Sequence, residues 1–157
     1  TATLPSELPI GSIACPFCGA EPESAVHLFF LCKPIKMIWF AMCGVRTDDF
    51  SHLSISDWIT HILNPSLIFG DSPPSETYFL HSAVIIMEKT WLWRNRSIFD
   101  RAEFEPDLIY REIRSAFNEK SNARVTGTRS LMLPTCPPDF PSVSDLEISF
   151  NDKVRLG

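Results

Sequence analysis

Apolar residues recur along this chain mostly at helical spacing, and the breaks in that spacing divide it into segments. Residues 1–14, with Pro5 and Pro9, are expected to run extended. Glu21-Pro22-Glu23-Ser24 reads as a helix entry, with acidic groups near the positive end of the helix dipole. A short helix over Ala25–Leu31 follows. Lys33 precedes Pro34, which disfavours helical geometry at Lys33, so that helix should end at Cys32. Pro34 then suits the first turn of a second helix to about Met42. Leu28, Phe29, Ile35, Ile38 and Trp39 give the pair an apolar face.

Ser54 or Ser56 can cap a third helix, with Asp57 in its first turn and Trp58, Ile59, Ile62 and Leu63 as its apolar set. Asn64-Pro65 stops it, and Gly70-Asp71-Ser72-Pro73-Pro74 is a loop. Ser75 and Tyr78 open the longest helix, to about Phe99. Its apolar residues Phe79, Leu80, Ala83, Val84, Ile86, Met87, Trp91 and Ile98 cover most of its circumference, the pattern of a buried central helix. Pro106 and Asp107 start a last amphipathic helix with Leu108, Ile109, Ile113 and Phe117 on one face, fraying near Ser121–Ala123. Beyond it the composition turns to Thr, Ser and Pro, as in a linker. Leu146-Glu147-Ile148-Ser149-Phe150 alternates like a short strand. The pattern predicts a mainly α fold: a small helical bundle over 1–123, a linker over 124–145 and a short strand within 146–157.

Composition agrees with one globular domain and a tail, at 157 residues and 45% hydrophobic content. The net charge of −5 offers no overall positive field for a polyanion. Its distribution is uneven: residues 1–87 hold three basic and eight acidic side chains, residues 88–129 nine and seven, residues 130–157 two and four. Any affinity for nucleic acid must therefore come from a local patch. The most apolar run, Tyr78 to Met87, contains His81 and is too short to span a bilayer, so no membrane partner is expected.

The candidate chemistry lies near the N-terminus. Cys15, Cys18, His27 and Cys32 follow the spacing C-x2-C-x8-H-x4-C. Three thiols and one imidazole are a complete ligand set for a closed, tetrahedral structural zinc site. Cys15 and Cys18 would come from one tight turn, and Gly19 sits where the chain must leave the metal. On an ideal helix the five-residue step from His27 to Cys32 leaves them about 140° apart, so both reach one ion only if the helix ends there. Cys43 and Cys136 are left as free thiols, a usage that fits a reducing intracellular compartment, nucleus or cytoplasm. No charged n-region followed by an apolar h-region marks a secretory signal.

The residues around the ligands carry a resemblance. Cys15-x-x-Cys18-Gly19, then Glu23-Ser24-x-x-His27-Leu28-Phe29-Phe30-x-Cys32 and Ile38-Trp39, resembles the zinc-binding domain of plant non-LTR retroelement reverse transcriptases, or of host genes derived from them. Trp91-Leu92-Trp93-Arg94-Asn95-Arg96 resembles the Trp-x-x-Arg-Asn element that follows the zinc region in that family. Read from the residues alone, Arg94 and Asn95 would satisfy carbonyls at a helix C-terminus while the tryptophans fill the core. In that family an RNase H domain follows the linker, and its first strand carries a catalytic aspartate. Here Asn151 falls at that position, or Asp152 after a one-residue shift, so the segment reads as a degraded remnant.

No nucleophile–base arrangement, P-loop or set of metal-binding carboxylates is present, and a four-ligand zinc site keeps no position open for water. The expectation is a non-enzymatic module with no small-molecule substrate. The resemblance implies accessory binding of RNA or DNA, for which Arg94, Arg96, Arg101, Arg111, Arg114 and Arg124 are the candidates. The acidic residues interleaved with them favour an ion-paired surface instead. A retroelement-derived domain that binds a protein partner is the alternative.

Overall fold

Where proline and glycine interrupt the helical spacing, the chain turns, and five helices result among the described residues. The computed structural model describes residues 13–127, with side chains as far as residue 123. Helix α1 spans Lys33–Cys43, α2 Ile55–Leu63, α3 Ser66–Phe69, α4 Glu76–Phe99 and α5 Pro106–Gly127. A π-helical turn, His27–Leu31, precedes α1, and a 3-10 turn, Thr47–Phe50, follows it. One isolated antiparallel bridge joins Ala14 to Pro22.

The helix boundaries follow from local chemistry. Pro34 occupies the first turn of α1, where no N–H is needed, and Gly44 closes that helix with φ 68, a left-handed conformation that glycine adopts without strain. Ser54 caps α2: its side chain accepts from the Asp57 N–H while the Asp57 carboxylate accepts from the Ser54 N–H, so the two groups satisfy each other. Asn64-Pro65 does stop α2, but Pro65 then starts the single turn of α3. The last helix runs on to Gly127 rather than fraying at Ser121–Ala123. From residue 128 onward the expected linker and the strand at 146–157 lie outside the described residues.

The core is aromatic at its centre. Phe30 and Trp58 stack with ring centroids 4.2 Å apart and planes 1° from parallel. Trp39 lies 5.5 Å from Phe30 and 6.4 Å from Phe79, which Phe69 meets edge-on at 5.3 Å. Ile35, Ile38, Ile85, Ile86, Ile109 and Ile113 complete it, drawn from α1, α4 and α5. Cys15 and Cys32 are fully buried members of the same cluster. The metal-ligand motif is thus part of the core wall.

Two expectations are corrected. Helix α4 is not enclosed on all sides: Phe79, Ala83, Ile85, Ile86 and Trp93 are buried, whereas Leu80, Val84, Trp91 and Ile98 are exposed. On α2, Trp58 and Ile62 face the core, while Ile59 and Leu63 face solvent. Apolar composition marks α4 as two-faced, and periodicity alone cannot say that only one face is covered.

Trp58→Ala is expected to cost about 3–5 kcal/mol, because the vacated volume lies beneath the stacked Phe30 ring. Urea unfolding followed by circular dichroism measures the loss. A change under about 1 kcal/mol would show that this stack is not central to the core.

Candidate metal centre

Cys15 and Cys18 sit on a tight reversal of the chain. The Gly19 N–H donates to the Cys15 carbonyl at 2.8 Å, the Cys15 N–H to the Glu21 carbonyl at 2.8 Å, and the Glu23 N–H to the Ile13 carbonyl at 2.8 Å. Gly19 takes φ +64 with open space around its Cβ position, so glycine is needed there for conformation and not for room. This knuckle places two sulfurs on one side.

The other two donors come from the π-helical turn. The His27 N–H donates to the Ser24 hydroxyl at 3.1 Å, which starts the turn. It closes with the Cys32 N–H donating to the His27 carbonyl at 2.7 Å, a bond over five residues instead of four. That correction to the expected α-helix matters for the site. A π turn takes in more residues than an α turn, so the five-residue step returns Cys32 closer to the side His27 occupies. The 140° separation of an ideal α-helix does not arise.

Widening the turn displaces carbonyls from their usual donors. The residue five beyond Phe29 is Pro34, which has no N–H. The indole Nε1 of Trp39 donates to the Phe29 carbonyl instead, at 2.8 Å. A core side chain thereby satisfies the backbone group that the turn leaves over.

The four donor atoms of Cys15, Cys18, His27 and Cys32 all lie within 4.8 Å of one another. Cys15 Sγ and Cys32 Sγ are 3.7 Å apart, and Cys18 Sγ and His27 Nε2 are 3.4 Å apart. These residues are positioned to bind a metal ion. Their proton affinities differ. Burial raises the Cys18 thiol pKa, but backbone groups of Ala20 and Glu21 and the thiols of Cys32 and Cys15 outweigh it, leaving it below an ordinary thiol's. Burial, reinforced by Cys15 and Cys18, drives Cys32 far above the usual range. Burial, helped by Lys36 and opposed by Glu21 and Glu23, holds the His27 imidazole below its ordinary value. Three thiolates so close together need a cation among them, and a neutral imidazole is the form that ligates.

Two contacts fix the knuckle to the helical body. Phe17 stacks on Phe104, in the connection between α4 and α5, with centroids 4.1 Å apart, and Phe104 meets Trp93 edge-on at 6.1 Å. Arg94 of α4 grips Glu23 bidentately: Nη2 donates to Oε1 at 2.7 Å and Nε to Oε2 at 3.2 Å. Both side chains are only 18% exposed. Arg94 therefore does not satisfy carbonyls at the end of α4, as its position near that end had suggested. Nor do both tryptophans fill the core: Trp93 is buried, with Nε1 donating to Glu112 Oε2 at 3.0 Å, while Trp91 is half exposed beneath the Arg94 guanidinium. Sequence reasoning missed Glu23, Phe17 and Phe104 as partners, because nothing local links them to residues 70 or more positions away.

The remaining arginines do not gather at the metal centre. Arg96 pairs with Glu112 at 3.2 Å and lies over the Trp93 ring. Arg111 donates to the Asp107 carbonyl at 3.4 Å, Arg114 lies over Tyr110, and Arg101 is exposed between α4 and α5 with φ 52. Lys120 pairs with Glu88 at 3.5 Å. The side chain of Arg124 lies outside those described. No helix among the described residues is long and apolar enough to cross a membrane.

No family model, curated protein or solved structure matches the chain.

Glu23→Gln should leave metal content unchanged at one ion per chain but lower the unfolding free energy by about 1–3 kcal/mol, since Arg94 keeps its burial and loses its charged partner. Plasma mass spectrometry and urea unfolding read the two quantities separately. Cys15→Ser should instead abolish stoichiometric metal. If Glu23→Gln loses the metal too, the clamp and the ligand set are not separable as described.

Proposed function

We propose that this chain is a non-catalytic module held together by structural zinc, similar to the zinc-binding domain of plant non-LTR retroelement reverse transcriptases, and that it makes accessory contacts to RNA or DNA. The observation that carries the zinc reading is the packing of the four donors. A tetrahedral ion with Zn–S bonds of about 2.3 Å has S···S edges near 3.8 Å. The 3.7 Å between Cys15 Sγ and Cys32 Sγ agrees with that edge. With four protein ligands the ion keeps no position for water, and Glu23, a carboxylate beside His27, is held by Arg94. Both points support a structural role over a hydrolytic one.

The nucleic-acid part of the reading draws on Arg101, Arg111 and Arg114, because Arg94 and Arg96 are engaged with Glu23 and Glu112. Three cations make a weak, salt-sensitive contact. A second reading, a retroelement-derived domain that binds protein, is favoured by the exposed apolar face of α4.

Purified chain is expected to carry one zinc ion. Strong chelation should lower its melting temperature sharply, because metal binding at such sites supplies on the order of 10 kcal/mol to folding. Acid should do the same: protons compete for the three thiolates and the imidazole, so the ion leaves as pH falls and returns as it rises. A melting curve indifferent to chelator would overturn the zinc assignment. In electrophoretic titrations, affinity for single-stranded RNA or DNA should fall steeply with added salt, and Arg111→Ala with Arg114→Ala should weaken it. Absence of binding at low salt would reject the nucleic-acid role and leave the protein-binding one.

A further inference from the structure

Helix α4 carries a second apolar face that the core does not use. Phe79, Ala83, Ile86 and Trp93 point inward. On the other side Leu80 is 41% exposed, Val84 51%, Trp91 48%, Leu92 38%, Ile98 36% and Phe99 75%. At about 100° per residue these six fall within an arc of roughly 120°. Leu80, Val84, Trp91 and Ile98 follow one another at intervals of four, seven and seven residues. That is the spacing of a seam along which one helix packs against another.

The face has a hollow at one end and a projection at the other. Near the N-terminal half of α4, a groove of about 590 Å³ is lined by Leu63, Leu80 and Val84 and also by Glu76, His81 and Lys120. At the C-terminal end, Ile98 and Phe99 stand out into solvent. Groove and projection are roughly 25 Å apart along the helix at 1.5 Å per residue.

We propose that this face is the interface of a homodimer, in which a second copy of the chain lies antiparallel along α4. A two-fold axis near the middle of the helix brings Ile98 and Phe99 of each copy to the groove beside Leu80 and Val84 of the other. The contact is self-complementary and closes at two subunits. A parallel pair would set groove against groove and projection against projection. Antiparallel alignment also opposes the two helix dipoles favourably. The six side chains and the groove wall offer at most roughly 600 Å² per chain, at the small end of stable interfaces, which average ~800 Å² per partner. Glu88, paired with Lys120, and Asn95 fall inside that arc, about 80° and 60° round from Leu80, so the face carries two polar positions between its apolar rows. This interface uses neither the metal ligands nor Arg101, Arg111 and Arg114, so it stands apart from the nucleic-acid reading. It fills the α4 face on which the protein-binding reading rests, and the partner it assigns to that face is a second copy of the chain.

Sedimentation equilibrium of the metal-loaded full chain tests it. The wild-type chain should sediment as a dimer, and Val84→Glu and Trp91→Glu should each raise the dissociation constant at least tenfold, about one decade. Both side chains face solvent within one protomer, so the circular dichroism spectrum of each variant should stay that of a folded chain. Orientation is read from a Leu80→Cys, Ile98→Cys variant treated with a short bis-maleimide, with cross-linked peptides identified by mass spectrometry. Links from position 80 of one copy to 98 of the other support the antiparallel dimer. A wild-type chain that stays monomeric at all concentrations, a Trp91→Glu variant that remains a dimer, or links dominated by 80 to 80 would each overturn it.

Discussion

The hydrogen bond from the Cys32 N–H to the His27 carbonyl governs how the rest of this structure is arranged. Spanning five residues, it sets the turn wide enough to return Cys32 to the side of His27. An ordinary helix would present one of the two donors and turn the other away. The wide turn has a structural requirement of its own, since Pro34 cannot serve the Phe29 carbonyl. Trp39 meets it from the centre of the core. Two of the four candidate metal donors, the satisfaction of the Phe29 carbonyl and part of the core packing therefore share a single stretch from His27 to Trp39. Phe30, in the middle of that stretch, is the residue that stacks on Trp58.

Local chemistry accounts for what was legible in the sequence. The ligand set could be named from spacing, because four soft donors within one short stretch have few other uses. The helices at Pro34, Ser54 and Pro106 could be placed because proline and capping groups act within a single turn. The π turn was hidden: its signal is the pairing of His27 and Cys32 at a step that fits no α-helical face, which looked instead like a reason for the helix to stop. The clamp between Glu23 and Arg94 was hidden for a different reason. It joins residues 71 positions apart, and an arginine near a helix end has a ready local explanation that happens to be wrong here. The outer face of α4 was misread because an apolar residue reports its chemistry and not its surroundings.

The clamp also bears on the helical core it touches. Arg94 stands one residue from Trp93, whose indole bonds Glu112 of α5, and Arg96 pairs with the same carboxylate. Glu112 thus ties together the two longest helices at the end where the knuckle is attached. Phe104 fills the space between Phe17 and Trp93. Of the two ion pairs there, Glu23–Arg94 is largely shielded from water, whereas Arg96–Glu112 is part-exposed and correspondingly weaker.

The Phe17–Phe104 stack and the Glu23–Arg94 pair have a consequence for how such a chain can be divided. Small zinc folds are often treated as portable fingers, bounded by their first and last ligands. A segment cut after Cys32 would retain every ligand here and lose both attachments, along with the Trp39 indole that completes the turn. Two of its ligands, Cys15 and Cys32, would also be stripped of the core that covers them. In this chain the knuckle and its helices are packed as one body, and the contacts that hold the candidate metal site reach as far along the chain as Phe104.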